Sequence, residues 1–127
     1  MDRERQWSLR LERGVLVVEF PRGTVLSPVD AEALLERWRT LAADYDGDTV
    51  VVVVRTSRSC SDAGRHALRT AALVGVEHGI TRLALVAERS KRRYLKRTVD
   101  VAGVDVESFN DDGTALAWAE RCANQFA

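Results

Sequence analysis

The stretch TVVVVVRTSRSCSDAGRHALRTAALV, Thr49–Val74, runs an apolar strand directly into a helix rich in small residues. Val50 to Val54 follow one another with no polar alternation, the pattern of a strand covered on both faces. From about Asp62 to His78 the period changes to that of a helix. Leu68, Ala71, Ala72 and Gly75 fall on one stripe, and Gly79 supplies a left-handed stop. A strand buried on both sides and followed at once by a helix is the unit of a parallel sheet, so this segment sets the fold class as α/β.

The same pattern continues downstream. RLALVA (82–87) predicts another buried strand, and SKRRYLKRTVDVAG (90–103) another helix, capped by Ser90 and closed by Gly103. VDVESF (104–109) predicts a last strand. DDGTALAWAERCA (111–123) predicts a last helix, with Ala115, Leu116, Trp118 and Ala119 as its apolar contacts.

Upstream, Trp7, Leu9 and Leu11, then Val15 and Val17, alternate around Gly14. They predict two half-buried strands in a hairpin. Ser27 as N-cap, Pro28 in the first helical position and Asp30 near the dipole's positive end predict a helix start. Leu34, Leu35, Trp38, Leu41 and Ala42 keep helical spacing, and DYDGD (44–48) stops it. The order is ββαβαβαβα, and right-handed crossovers make the later strands mutually parallel. The expectation is a mixed central sheet of five strands, with an N-terminal β-hairpin and four helices.

At 127 residues and 46% hydrophobic, the chain can bury one core, and a single domain over 1–127 is expected. Formal net charge is zero, which argues against nucleic acid or an anionic membrane as the general partner. Cys60 and Cys122 lack metal-ligand spacing and suit a reduced interior; no cofactor or metal is expected. No apolar run reaches the length of a membrane span, and the charged start MDRERQ is followed by no signal-peptide core. Together these point to the cytoplasm.

The junction SRSCSDAGR (57–65) admits several chemistries. A strand, a cysteine loop and a helix opened by arginine is the layout of cysteine phosphatases. Here only SDAG separates Cys60 from Arg65, one residue short of that spacing, and Asp62 places a carboxylate where a phosphate would sit. A looser alternative keeps Cys60 as a reactive thiol beside Arg58, with His66 one helical turn on. No serine–histidine–aspartate set can be assembled.

The element order, with its hydroxyl-rich turn between third strand and second helix, resembles the STAS fold of SpoIIAA-like proteins. SDAGRHAL (61–68) looks like the D-S-S-G-L segment of that family, with Gly64 in the glycine place. Phe109, Ala115 and Trp118 take the places of the terminal phenylalanine and the A-x-x-W helix of the SpoIIAA-like branch. The resemblance implies a non-enzymatic regulatory domain that binds another protein. In the family's anti-sigma-factor antagonists, a kinase phosphorylates the first serine of the pair. That position here is Asp62, followed by Ala63, and a carboxylate cannot take phosphate, so the serine switch is not carried over. The expected interaction surface is Ser59, Ser61, Asp62 and Arg65.

A second candidate surface lies on the third helix. ERSKRRYLKR (88–97) holds six basic residues and one acid, a net of +5. With Tyr94, Leu95, Val99 and Ala102 turned inward, Lys91, Arg92, Arg93, Lys96 and Arg97 point outward as an anion or partner site. A solvated face in an arginine-rich chain explains the same residues. Two function alternatives remain beside the protein-binding reading. One is a carrier of a lipid or small anion using the basic helix, and the other is a thiol enzyme using Cys60. Exposed edge strands also leave room for a homodimer.

Overall fold

The computed structural model of the chain describes residues 7–21, 27–55 and 62–124, with side chains to Arg121. Nine elements follow in the expected order. They are β1 (Ser8–Glu12), β2 (Val15–Phe20), α1 (Pro28–Asp44), β3 (Thr49–Val54), α2 (Asp62–Glu77), β4 (Arg82–Val86), α3 (Arg89–Val99), β5 (Asp105–Phe109) and α4 (Asp112–Asn124). The five strands form one mixed sheet in the order β1-β2-β3-β4-β5. β1 and β2 are antiparallel, and β2 through β5 run parallel.

Each parallel crossover steps to the next strand in the same direction. Crossovers of one hand that always step one way must keep their helices on one face. Leu34 and Trp38 of α1, Leu68 of α2, and Leu95 and Val99 of α3 share a core with Leu16, Val18, Val50, Val52, Leu83 and Leu85. The opposite face, Val15, Val17, Val51, Val53, Ala84 and Val86, is covered by α4 through Ala115, Leu116 and Ala119. Three helices thus roof one side and one helix roofs the other. All six residues of β3 are buried, as the run of valines requires.

The hairpin departs from its expected pattern. β2 is a central strand, not half-buried, and Val15 to Val18 are all buried. Glu12 pairs with Val15 and Leu11 with Leu16, so Trp7 and Leu9 share the α1–α3 face with Leu16 and Val18. Val15 and Val17 face α4 instead. Arg13 and Gly14 form the two-residue turn with φ of 53° and 77°, the primed geometry that suits the twist of a hairpin.

α1 begins as the sequence predicts. The Ser27 hydroxyl accepts from the Asp30 N–H at 3.1 Å, and the Asp30 carboxylate accepts from the Ser27 N–H at 3.3 Å, a reciprocal capping box. The indole N–H of Trp38 donates to the Ala71 carbonyl at 2.8 Å, tying α1 to α2 through a buried side chain. After α1, a Cβ on Gly47 would strike the Tyr45 ring, whose hydroxyl donates to the Thr49 carbonyl at 2.7 Å.

α3 is shorter than the sequence suggests. It starts at Arg89 with Glu88 as N-cap, and Glu88 makes no side-chain capping bond; Ser90 lies inside the first turn. It stops at Val99, and Gly103, with φ of 93°, belongs to the turn beyond. Ala102 is therefore exposed, and Val101 takes the buried place.

Two substitutions test this account. Leu85→Ala, in the middle of the three-helix face, should lower unfolding free energy by about 2–5 kcal/mol. Ser27→Ala should lower it by about 1 kcal/mol. Urea unfolding measures both, and a smaller loss for Leu85 than for Ser27 would contradict the placement of the core.

Candidate functional site

Because β2 to β5 run parallel, their carboxyl ends and the starts of α2, α3 and α4 gather on one rim of the sheet, the usual location of ligand sites in open α/β folds. Ser59, Cys60 and Ser61, with the rest of 56–61, lie outside the described residues, so the expected hydroxyl and thiol positions have no structural account. Asp62 and Arg65 are described. Arg65 forms an ion pair with Asp62 one turn away in α2, and its guanidinium also lies over the ring of Tyr94 in α3, 5.9 Å from the centroid. This contact joins α2 to α3. At an exposed site such stacking contributes about 0.5–1 kcal/mol.

α2 presents an exposed stripe at helical spacing: Asp62, Arg65, His66, Arg69, Leu73 and Glu77. Leu73 is 47% exposed, one of few large apolar side chains so open among the described residues. His66 and His78 are surface residues.

The central rim is occupied by paired charges that sequence reasoning missed. Arg55, directly after β3, donates through Nε to Glu19 at 2.5 Å and through a terminal nitrogen to Asp112 at 2.8 Å. It links the end of β2 to the start of α4. The hydrogen bond to Glu19 raises its pKa; desolvation opposes the rise, and the charges of Glu19 and Asp112 add to it. Arg92 bends back across the rim, donating from Nε to the Ala87 carbonyl at 3.0 Å and from a terminal nitrogen to the Asn110 side chain. The expectation that Arg92 points outward is corrected: it and Lys91 are half-buried. Between these arginines lies a crevice of about 240 Å³, lined by Val53, Val54, Arg55, Val86, Ala87, Glu88, Arg92 and Asn110. Glu19, Glu88 and Asp112 outnumber its two arginines, so the crevice has no surplus positive charge for an anion.

Arg93, Lys96 and Arg97 are exposed on α3. They line a trough of about 400 Å³ with Asp100, Val104, Asp105 and Val106, between α3 and the outer edge of β5. Lys96 and Arg97 fall in the last turn, because the helix ends at Val99. There the macrodipole favours cations. Arg93, a turn earlier, lacks that benefit.

The apolar space enclosed by the three-helix face, lined in part by Phe20, Trp38, Leu68 and Ile80, measures about 40 Å³. Water needs about 10–15 Å³ by this measure, so the space is of solvent size, not that of an acyl chain. Among the described residues, no three histidine, cysteine or acidic side chains gather as a metal site, and no helix is long and apolar enough to cross a membrane. Phe109 and Trp118, separate in sequence, pack at 5.4 Å between ring centroids on the α4 face.

Comparison with family models, with curated proteins and with solved structures finds no match to this chain.

The rim also holds a pH-sensitive cap. The Asp111 carboxylate accepts from the Thr114 N–H at 2.7 Å and the Thr114 hydroxyl at 2.9 Å, which lowers its pKa below 3.8. A carboxyl lowered on folding adds stability above its unfolded pKa and loses it as pH falls through the folded one. Asp111→Ala should therefore be less stable than the parent at neutral pH. Its deficit should narrow as acid protonates the parent's carboxylate, a convergence that urea midpoints measured against pH will show.

Proposed function

We propose that the chain is a SpoIIAA-like STAS domain that acts in regulation by binding another protein, without reaction chemistry and without a serine phospho-switch. The observation that carries the reading is the α2 stripe. It is an exposed row of Asp62, Arg65, His66, Arg69 and Glu77 with Leu73 open between Arg69 and Glu77. An apolar side chain ringed by charges is the composition of a protein contact, with a desolvated anchor inside a polar border. The Arg65–Tyr94 contact extends that face onto α3.

The five-stranded mixed sheet and the Phe109–Trp118 pair support the resemblance drawn from the sequence. Asp62 stands in the place of the family's phosphorylated serine. Its carboxylate is already ion-paired with Arg65, a fixed charge where relatives of the type would carry a reversible one. A cytoplasmic location goes with this function. The carrier alternative has little support in an interior space of about 40 Å³. The thiol alternative rests on Cys60, which lies outside the described residues.

The test is affinity capture with the tagged protein, compared across Leu73→Asp, Asp62→Arg and the parent. A partner bound through this face should be depleted at least tenfold by Leu73→Asp and markedly by Asp62→Arg. Partners recovered equally with all three proteins would reject the α2 face as the contact.

A further inference from the structure

β5 is an outer strand of the sheet, paired with β4 on its other side. The Asp105 N–H donates to the Thr81 carbonyl at 2.8 Å. Along a parallel strand the backbone groups alternate between the two sides. Glu107 and Phe109 therefore also turn theirs toward β4, and Val106 and Ser108 turn theirs outward. Among the described residues no other strand pairs with that edge. An open strand edge is a template for a further strand unless something blunts it.

Val106 pairs with Leu83 and Ser108 with Leu85, which places both side chains on the α3 face. Glu107 pairs with Ala84 and lies on the α4 face; Asp105 shares that register and, at the start of the strand, also borders the trough of α3 cations together with Asp100. On the α3 face the edge is flanked by Arg93, Lys96 and Arg97, one contiguous stripe at i, i+3 and i+4. No ion pair engages any of the three among the described residues. The two faces of a strand added here would meet opposite charges: on the α3 side Arg93, Lys96 and Arg97, which outnumber Asp100, and on the other Asp105 and Glu107.

We infer that the outer edge of β5 accepts an extended acidic peptide segment as a sixth strand, with its carboxylates turned to Arg93, Lys96 and Arg97. Backbone bonds to Val106 and Ser108 supply affinity, and the cation stripe selects sequence, the division of labour of strand addition. The peptide must be acidic at alternate positions and neutral or basic at those between, because the intervening side chains face Asp105 and Glu107. The same carboxylates disfavour a second copy. Antiparallel pairing of two β5 strands sets Glu107 against Glu107 or Asp105 against Glu107, and like charges directly opposed are repulsive. This surface is separate from the α2 stripe, so it can fail while the reading above survives.

The test uses a fluorescent ten-residue peptide of alternating Glu and Thr, titrated with the purified full chain at low salt and followed by anisotropy. Saturable binding is expected. The variant carrying Arg93→Gln, Lys96→Gln and Arg97→Gln should weaken it at least tenfold while keeping the parent's circular dichroism. Leu73→Asp should leave it unchanged. N-methylation of one alternate set of peptide nitrogens should abolish binding and methylation of the other set should be tolerated, since one edge of the peptide faces β5. Tolerance of both methylated sets would overturn strand addition, even if inorganic phosphate competed at the same cations. So would equal binding of a Lys-Thr peptide, no binding of the Glu-Thr peptide, or a dimer dissociated by the Gln substitutions.

Discussion

Five consecutive valines after Thr49 cannot leave either face of their strand in water, and the arrangement of the other elements follows from that demand. Val50, Val52 and Val54 need a roof on one side of the sheet, and Val51 and Val53 need one on the other. Each buried valine contributes roughly 1.5–3 kcal/mol relative to an exposed one. Same-handed crossovers stepping one way can supply only the first roof, so α1, α2 and α3 all fall on one side. The second roof has to come from a helix after the last strand. α4 fills that place with Ala115 and Ala119, both fully buried and small enough to let its axis approach the valines closely.

This division decides where charge can sit. α4 alone cannot span five strands, and charged residues lie toward both sides of the sheet: Arg10 and Glu12 on β1 with Glu19 at the end of β2, and Asp105 and Glu107 on β5. Arg13 of the hairpin turn reaches Glu120 of α4 at 2.9 Å, and Arg55 ties Glu19 to Asp112. Exposed pairs of this kind contribute little to stability. They join the hairpin turn and the ends of β2 and β3 to the single helix on that face.

The element order was legible because long apolar runs and their caps are local signals. Ser27, Pro28 and Asp30 form the cap that their order announces, and Gly79 takes the positive φ expected of a helix stop. The ends of α3 were less legible. Ser90 is a good capping residue, yet the helix begins before it, since the chain leaves β4 at Val86 and turns within Ala87 and Glu88. β2 was read as half-buried because a hairpin's second strand often is. Its burial depends on β3 pairing beside it, a fact no window of the hairpin contains. The Arg55 and Arg92 bonds were invisible for the same reason, since their partners lie 36 and 57 residues from Arg55 and 18 from Arg92. At the junction, Asp62 and Arg65 were singled out from sequence and lie on one exposed stripe; Ser59 and Ser61 fall in the undescribed segment.

Net charge is the least informative number in this chain. The total is zero, yet residues 88–97 carry +5, so the remainder carries −5. A balanced total argues against a general attraction to polyanions, since the field of the whole molecule has no dominant sign at a distance. It says nothing about a contact within a Debye length, roughly 8–10 Å at cellular salt, where local charge governs. Within that range α3 is a cationic rod, with Arg92 turned back to Ala87 and Asn110 and Arg93, Lys96 and Arg97 left along the β5 side. The inward turn of Arg92 leaves Arg93, Lys96 and Arg97 as the cations that border the β5 edge. A helix whose cations were spread evenly would have favoured any anion from any direction. This one favours a carboxylate arriving alongside β5.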